Sequence, residues 1–212
     1  FALSAMLFRF SANLSLGEIF DGRFVLAYFW GTAFVYGIAT IVALIRRLSI
    51  EEVAVEAQCA VIGNVGFLGI PMLVLLLGEQ AIGPVMLVLA VDLILFGSLI
   101  VILITGSREG QLSLRTFRNI GLGLLKNPMI VSISLGVLTS ASHLSIPAPV
   151  NDFLTLLGAA ATPGALFVIG ASLATKSAER LAVAGWLSFC KLILHPLACA
   201  IAAFYVFGIA PY

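Results

Sequence analysis

One segment of the sequence combines residue types that could bind an anion in an apolar environment. It reads Ile62-Gly63-Asn64-Val65-Gly66-Phe67-Leu68-Gly69-Ile70-Pro71 and lies in the middle of an uncharged run. Glycines at a spacing of three, followed by proline, weaken a helix. The N–H groups that such a break frees, with the positive end of the half-helix that follows, suit a carboxylate, and the side-chain amide of Asn64 adds further donors.

The glycines of this segment have a second interpretation, a face of small residues that lets helices pack closely. The proline and the polar asparagine that accompany them favour the binding site. The predicted ligand-binding residues are Asn64, Gly66, Gly69 and Pro71, together with Ser11. A phosphate-binding loop is excluded, because no strand precedes the glycines and no Lys-Ser/Thr pair follows them.

Ionisable side chains within apolar stretches form a second group of candidates. Asp92 and Lys191 each lie near the middle of such a stretch, where a charge costs several kcal/mol unless it is paired or hydrated. We expect them to interact directly or through water and polar groups, with Asp92 titrating a proton and Lys191 adding a supporting charge. The alternative is a structural buried pair. His195, one helical turn after Lys191 and before Pro196, is more typical of packing than of proton relay. Arg9 lies nearer a helix end, from where its side chain is expected to reach the membrane interface.

The elements that must position these residues are membrane-spanning helices. Of the 212 residues, 61% are hydrophobic and 10% are charged, with a mean hydropathy of +1.17. A soluble domain has about 25% charged residues. Apolar runs long enough to span a bilayer as helices lie at 24–45, 57–78, 83–105, 127–151, 153–175 and 181–207, after a partial first segment at 1–14. Since open sheets leave backbone groups unpaired in lipid, the sequence predicts an all-α polytopic membrane protein.

The distribution of basic residues predicts which loops face the cytoplasm, since short cytoplasmic loops hold the positive excess. One set of loops contains only Arg23, whereas the other contains Arg46, Arg47, Arg108, Arg115, Arg118, Lys126, Lys176 and Arg180. Loops 46–53, 107–126 and 175–180 are therefore predicted to be cytoplasmic. Such clusters are more typical of a solvated face or of contact with anionic lipid than of a ligand site. In the loop 107–126, the pattern of apolar residues predicts an amphipathic interfacial helix: Leu112, Leu114, Phe117 and Ile120.

A short internal repeat indicates a duplicated and inverted helical bundle. Ala5-Met6-Leu7-Phe8 with Ser11-Ala12-Asn13-Leu14 aligns without a gap on Gly164-Ala165-Leu166-Phe167 with Gly170-Ala171-Ser172-Leu173. According to the loop charges, the two copies cross the membrane in opposite directions. Inverted repeats of this kind are typical of secondary transporters.

Three segments resemble the auxin efflux carrier family, and in particular its bacterial, malonate transporter-like members. They are Gly63 to Pro71, Lys126-Asn127-Pro128-Met129-Ile130 running to Leu135-Gly136-Val137-Leu138, and Leu156-Leu157-Gly158-Ala159-Ala160-Ala161-Thr162-Pro163-Gly164-Ala165-Leu166. Together with Lys191 to Pro196, they extend the resemblance over essentially the whole chain.

The resemblance implies a transporter fold of two inverted five-helix repeats, in which the fourth and ninth helices are broken and cross near the membrane centre. The chain would be a piece of a longer protein, lacking the first and last two helices. Residues 1–106 would form helices two to five, with 57–78 as the first crossing helix, 107–126 a cytoplasmic loop, and 127–212 helices six to eight. Helices one, two, six and seven would form a scaffold, and the others, with Asp92 and Lys191, a mobile core.

The inverted repeat and the resemblance together lead us to expect secondary active or facilitative transport of small carboxylates, such as malonate or malate, across the bacterial inner membrane by alternating access. Expected partners are the carboxylate, protons, membrane lipid and, as an option, a second copy of the protein. No cofactor, metal ion or nucleic acid is expected, and no constellation of catalytic residues predicts an enzyme. The alternatives are a sodium-coupled carrier of the bile-acid type and a non-transporting membrane sensor or interaction subunit.

Overall fold

The computed structural model describes residues 1–13, 21–109, 114–174 and 180–209. Within these ranges the chain is helical and contains no strand. Helical stretches long and apolar enough to cross a membrane are Gly22–Ile45, Ile50–Leu77, Glu79–Arg108, Ala148–Leu173 and Leu181–Val206. Two shorter apolar helices are Ala2–Ala12 and Pro128–Ala141. These segments correspond one to one with the seven apolar runs of the sequence.

The described α-helices are, in chain order, α1 (Ala2–Ala12), α2 (Gly22–Ile45), α3 (Ile50–Val61), α4 (Ile70–Leu77), α5 (Ile82–Val91), α6 (Gly97–Glu109), α7 (Leu114–Lys126), α8 (Pro128–Ala141), α9 (Ala148–Ala159), α10 (Ala161–Leu173), α11 (Leu181–Phe189) and α12 (His195–Ile201). Short π-helical turns at Val65–Gly69, Asp92–Phe96, Cys190–Leu194 and Ala202–Val206 precede, join or extend them, and Glu79–Ala81 is a 3-10 turn. Of the five long spans, four are therefore composite helices, whereas Gly22–Ile45 is one uninterrupted α-helix.

The start of α3 differs from the sequence prediction. The helix begins at Ile50 rather than at residue 57, because Ser49 and Glu52 form a capping box. The Ser49 hydroxyl accepts from the backbone N–H of Glu52 at 3.3 Å, and the Glu52 carboxylate accepts from that of Ser49 at 3.1 Å. The helix dipole stabilises acidic residues at a helix start. Glu51 and Glu52 therefore favour a helix here, although their charges place this stretch outside the apolar run.

The end of α8 also differs from the prediction of one span over 127–151. The helix ends at Ala141, and His143 adopts a left-handed conformation with φ of 51°. Pro147 then caps α9, which begins at Ala148 rather than at residue 153. An apolar run thus conceals a turn between two helices, which His143 and Pro147 mark.

Part of the predicted interfacial segment 107–126 is helical, since α6 continues to Glu109 and α7 covers Leu114–Lys126. Of the residues used in the sequence predictions, Leu14, Leu112 and Lys176 lie outside the described residues. The sidedness of the loops, the inverted orientation of the repeat and the division at 1–106, 107–126 and 127–212 stay predictions.

Two compact units divide the chain, and each takes residues from both halves of the sequence. The first contains the described residues of Phe1–Phe20, Asn64–Leu89 and Leu122–Ser177. Within it, α1 packs against α8 and α9 and buries Leu7 and Ser11 completely. A Cβ atom on Gly136 of α8 would lie 2.5 Å from the carbonyl oxygen of Phe8, so the backbones of α1 and α8 approach as closely as only glycine allows.

The second compact unit contains the described residues of Asp21–Gly63, Ala90–Gly121 and Ala178–Tyr212. Within it, α2 packs against α3 and α12, and α3 packs against α6. Gly31 allows the approach of α2 to α12, because a Cβ there would lie 2.7 Å from the Cα of Cys199. The buried core of this unit consists of Val35, Tyr36, Ala39, Ala57, Ala60, Val61, Val91, Phe96 and Cys190.

Candidate functional site

The glycine-rich segment interrupts a membrane-spanning helix, as the sequence predicts. Helix α3 ends at Val61, Ile62 is extended with φ of −76° and ψ of 122°, and a π-helical turn begins at Val65. Helix α4 then continues from Ile70, with Pro71 in its first turn. The predicted interruption is therefore confirmed, whereas the crossing of this helix with a second broken one stays a prediction.

Asn64 organises the start of the second half-helix. Its side-chain oxygen accepts from the backbone N–H of Phe67 at 3.3 Å, and its carbonyl oxygen accepts from Leu68 at 3.1 Å and from Gly69 at 3.0 Å. The side chain is exposed, and its Nδ2 group has no hydrogen-bond partner within the described part of the chain. The N–H groups of Val65 and Gly66 lie in the first turn, where helices leave donors without an internal partner. Asn64 thus holds the turn with its oxygen and keeps its donors available.

Thr162 completes the interruption from α10. In an α-helix the carbonyl of Phe67 would accept from the residue four positions later, which is Pro71 and has no N–H group. The Thr162 hydroxyl donates to this carbonyl at 2.8 Å. Sequence reasoning assigned no role to Thr162, although it stands in the Ala161-Thr162-Pro163-Gly164 stretch that carries the family resemblance.

A cleft of about 320 Å³ lies beside the interruption, within the first compact unit. Its lining residues come from α1, α4, α9 and α10 and are Met6, Arg9, Phe10, Pro71, Leu154, Thr155, Gly158, Ala159 and Thr162. Pro71 is the predicted ligand-binding residue that borders it. The polar groups of this cleft are those of Arg9, Thr155 and Thr162, and its remaining walls are apolar.

Two of the predicted ligand-binding residues occupy packing positions. Ser11 is fully buried, and its hydroxyl donates to the carbonyl of Leu7 in the preceding turn at 2.6 Å. Gly66 is buried, and a Cβ there would lie 3.3 Å from the side chain of Leu3 and 3.5 Å from that of Met129. For these two residues the structure shows close helix packing, which was the alternative interpretation of the sequence. Their contact with a ligand stays a prediction.

Asp92 is a buried carboxyl group in the second compact unit. It begins the π-helical turn between α5 and α6 and is 4% exposed. Its Oδ1 accepts from the hydroxyl of Tyr28 at 2.7 Å, and its Oδ2 has no partner among the described residues. A buried carboxylate with one partnered oxygen is costly, which makes the group suited to gain a proton or a positively charged partner.

Lys191 lies in the π-helical turn Cys190–Leu194 between α11 and α12, and His195 is the first residue of α12. The Nε2 of His195 lies 2.9 Å from the hydroxyl of Thr32, and its ring meets that of Tyr28 edge to face at 5.8 Å between centroids. Among the described residues the ion pairs are Arg46–Glu56 and Arg108–Glu51. The direct ion pair expected as one option between Asp92 and Lys191 is therefore not formed, and Tyr28 takes its place as the partner of Asp92.

Tyr28 and Thr32 were missed by sequence reasoning, although a signal is present. They stand four residues apart in the mainly apolar helix α2, so both hydroxyl groups project from one face of the helix. The combination brings a carboxyl, a phenol, an imidazole and a hydroxyl group together inside an apolar unit. This polar chain consists of two hydrogen-bonded pairs, Asp92–Tyr28 and Thr32–His195, joined by a ring contact, and such a group can hold a proton.

Comparison with known proteins agrees with the sequence resemblance. The curated protein "Putative malonate transporter" of Rhizobium meliloti (strain 1021) is 27% identical to the chain over 203 residues, which cover 92% of the chain and 62% of that protein. The chain thus spans less than two thirds of the length of this relative. A family model described as "Membrane transport protein" matches residues 1–211.

This match confirms both the resemblance to the auxin efflux carrier family and the all-α polytopic fold. It points to a transporter rather than an enzyme. On the evidence of the matched residues and the apolar helices, the chain belongs to the membrane transport protein family and is a multi-pass membrane protein.

Proposed function

We propose that the full-length protein carries small carboxylates, such as malonate or malate, across the bacterial inner membrane by alternating access. The observation that supports this most directly is the interruption between α3 and α4, where Asn64 keeps side-chain donors available within a span of apolar residues. The printed name of the Rhizobium relative agrees with a carboxylate substrate.

In this proposal the anion is held by Asn64 and the first turn of the second half-helix. The Nδ2 group donates to a carboxylate oxygen, and the N–H groups of Val65 and Gly66 offer further donors at the positive end of the helix. Hydrogen bonds to a charged group contribute about 1.5–3 kcal/mol each. Thr162 and Pro71 act indirectly, because they keep the interruption open at Phe67.

The buried polar group around Asp92 is proposed to couple transport to a proton. Protonation of the carboxyl would remove a charge for which Tyr28 is the hydrogen-bond donor among the described residues. His195 and Thr32 extend the polar chain, and Lys191 contributes a positive charge one turn from His195. The cytoplasmic location of loops 46–53, 107–126 and 175–180 belongs to the same proposal.

The experiment uses the full-length protein in liposomes and measures uptake of labelled malonate and malate. Asn64→Asp keeps an oxygen that can cap the π-turn but replaces the amide donors with a negative charge. We expect KM to rise by at least about tenfold, from the loss of one charge-assisted hydrogen bond.

Asn127→Asp is the matched control. Asn127 caps α8 in the same way, accepting from the N–H of Met129 at 2.9 Å, and the variant should keep the KM of the unmodified protein. An unchanged KM in Asn64→Asp would show that the interruption at Asn64 is not part of the substrate-binding site. Uptake that stops when sodium is replaced by choline would favour the bile-acid type of carrier, and no uptake of any carboxylate would refute the transport proposal.

A further inference from the structure

A second, more polar cleft lies in the first compact unit, between the end of α1 and the loop that leads into α9. It has a volume of about 420 Å³ and is lined by Arg9, Ala12, Asn13, Leu144, Ser145, Ile146 and Asn151. We refer to it as the vestibule. Four of its lining residues carry polar side chains, so it suits a hydrated, charged ligand better than a lipid chain.

Arg9 is the residue that the vestibule shares with the cleft beside the interruption. Its Nη1 donates to the hydroxyl of Thr155 at 2.5 Å, and this hydroxyl in turn donates to the carbonyl of Asn151 at 2.7 Å. The guanidinium is therefore held against α9. The expectation that Arg9 reaches the membrane interface stays a prediction.

The positive charge of Arg9 has no acidic partner among the described residues, where the ion pairs are Arg46–Glu56 and Arg108–Glu51. A guanidinium carries five N–H donors in a planar fork that matches a carboxylate. The contact with Thr155 uses one of them. Within the described residues the guanidinium contacts the Thr155 hydroxyl and lies over the ring of Phe10 at 5.6 Å, which leaves N–H donors for an anion at the wall of the vestibule.

The two clefts that border Arg9 differ in chemistry. The vestibule offers the amides of Asn151 and of Asn13, whose Nδ2 also donates to the carbonyl of Arg9 at 2.9 Å. The second cleft has mostly apolar walls and includes Pro71 and Thr162. A small dicarboxylate combines both kinds of group, since an apolar methylene joins its two carboxylates. Arg9 can therefore contact a carboxylate on either side.

We propose that Arg9, with Asn13 and Asn151, forms an anion-capture site that takes a carboxylate of the substrate before it reaches the interruption at Asn64. This proposal rests on the proposed function, of which it names an additional site. It predicts that binding of the carboxylate at Arg9 determines the KM of uptake and precedes its binding at Asn64.

The test is uptake of malonate by the full-length protein in liposomes made of a neutral lipid. Arg9→Gln removes the charge and keeps a polar side chain, and we expect KM to rise by about tenfold to a hundredfold with a maximal rate close to that of the unmodified protein. Arg9→Lys keeps a point charge without the planar fork and should give an intermediate KM. Arg23→Gln is the control, since it removes an exposed arginine from the same predicted side of the membrane and should leave KM unchanged.

Separate outcomes identify what fails. An unchanged KM in Arg9→Gln, with normal uptake by the unmodified protein, overturns the vestibule and leaves the proposed function in place. An equal rise in Arg23→Gln assigns the effect to surface charge and also overturns it. If Arg9→Gln binds malonate normally and is destabilised only in vesicles that contain anionic lipid, Arg9 binds a lipid phosphate and the capture site is overturned. If the unmodified protein takes up no carboxylate, the proposed function fails and the capture site fails with it.

Discussion

Substitution of two tyrosines of α2 tests the buried polar group of the second unit, because one of their hydroxyl groups is hydrogen-bonded to Asp92 and the other is not. The Tyr28 hydroxyl donates to Asp92 at 2.7 Å, whereas the hydroxyl of Tyr36 is buried without a partner among the described residues. Both rings pack against other rings, that of Tyr28 at 5.8 Å from His195 and that of Tyr36 at 5.7 Å from Phe96. Substitution by phenylalanine keeps the ring and removes one oxygen atom.

Tyr28→Phe removes the donor that contacts the Asp92 carboxyl within the described part of the chain. A hydrogen bond to a charged group contributes about 1.5–3 kcal/mol, so we expect the free energy of unfolding to fall by about this amount. Tyr36→Phe removes a buried hydroxyl for which the described residues provide no hydrogen bond, and leaving such a group unsatisfied costs about 1–3 kcal/mol. We therefore expect this variant to be as stable as the unmodified protein, or more stable.

The assay is denaturant unfolding of the full-length protein in detergent micelles, with both variants made alone and with Asp92→Asn. Tyr28→Phe and Asp92→Asn should be coupled, with an interaction energy of about 0.5–3 kcal/mol, while Tyr36→Phe and Asp92→Asn should be additive. The reasoning is refuted if both tyrosine variants lose equal stability, or if Tyr28→Phe shows no coupling to Asp92→Asn.

Two further predictions follow from the same unit. Gly31→Ala should lower the free energy of unfolding by about 1–3 kcal/mol, because its Cβ would lie 2.7 Å from the backbone of Cys199. Gly37→Ala, in the same helix and with nothing within 4 Å of its Cβ, should raise it by about 0.5–1 kcal/mol; equal effects would contradict the packing of α2 on α12. Asp92→Asn should abolish the pH dependence of uptake in liposomes, and a retained dependence would end its role in proton coupling.

Much of the fold follows from the sequence because lipid leaves few alternatives. Apolar runs of sufficient length must be helices, and glycines followed by Pro71 favour an interruption in one of them. The ends of the helices are less predictable, because local hydrogen bonds determine them. The capping box of Ser49 and Glu52 starts α3 within a charged stretch, and Pro147 divides an apolar run that length alone assigns to one span.

The candidate site divides in the same way. Asn64 is identifiable from its residue type in a weakened helix, and the structure confirms the break that it organises. For Ser11 and Gly66, the sequence does not distinguish contact with a ligand from contact with protein. The structure shows the hydrogen bond of Ser11 to Leu7 and the packing of Gly66 against Leu3. Tyr28 was overlooked because its partner, Asp92, is distant in the sequence.

The interruptions share a physical rule that links the fold to transport. The π-helical turns Val65–Gly69 and Cys190–Leu194 each end two residues before a proline, Pro71 and Pro196. Proline removes a donor from the preceding turn, and in lipid the carbonyl left over needs a partner from the protein.

At the first interruption Thr162 supplies this donor, so the hydroxyl that repairs the helix also borders the adjacent cleft. At the second, His195 stands directly before the proline and is held by Thr32. The repair by Thr162 brings a polar side chain into an apolar region, so the break between α3 and α4 also determines where a polar group lies. Polar residues paired with such turns are therefore the first positions to substitute in this family when a binding site is sought.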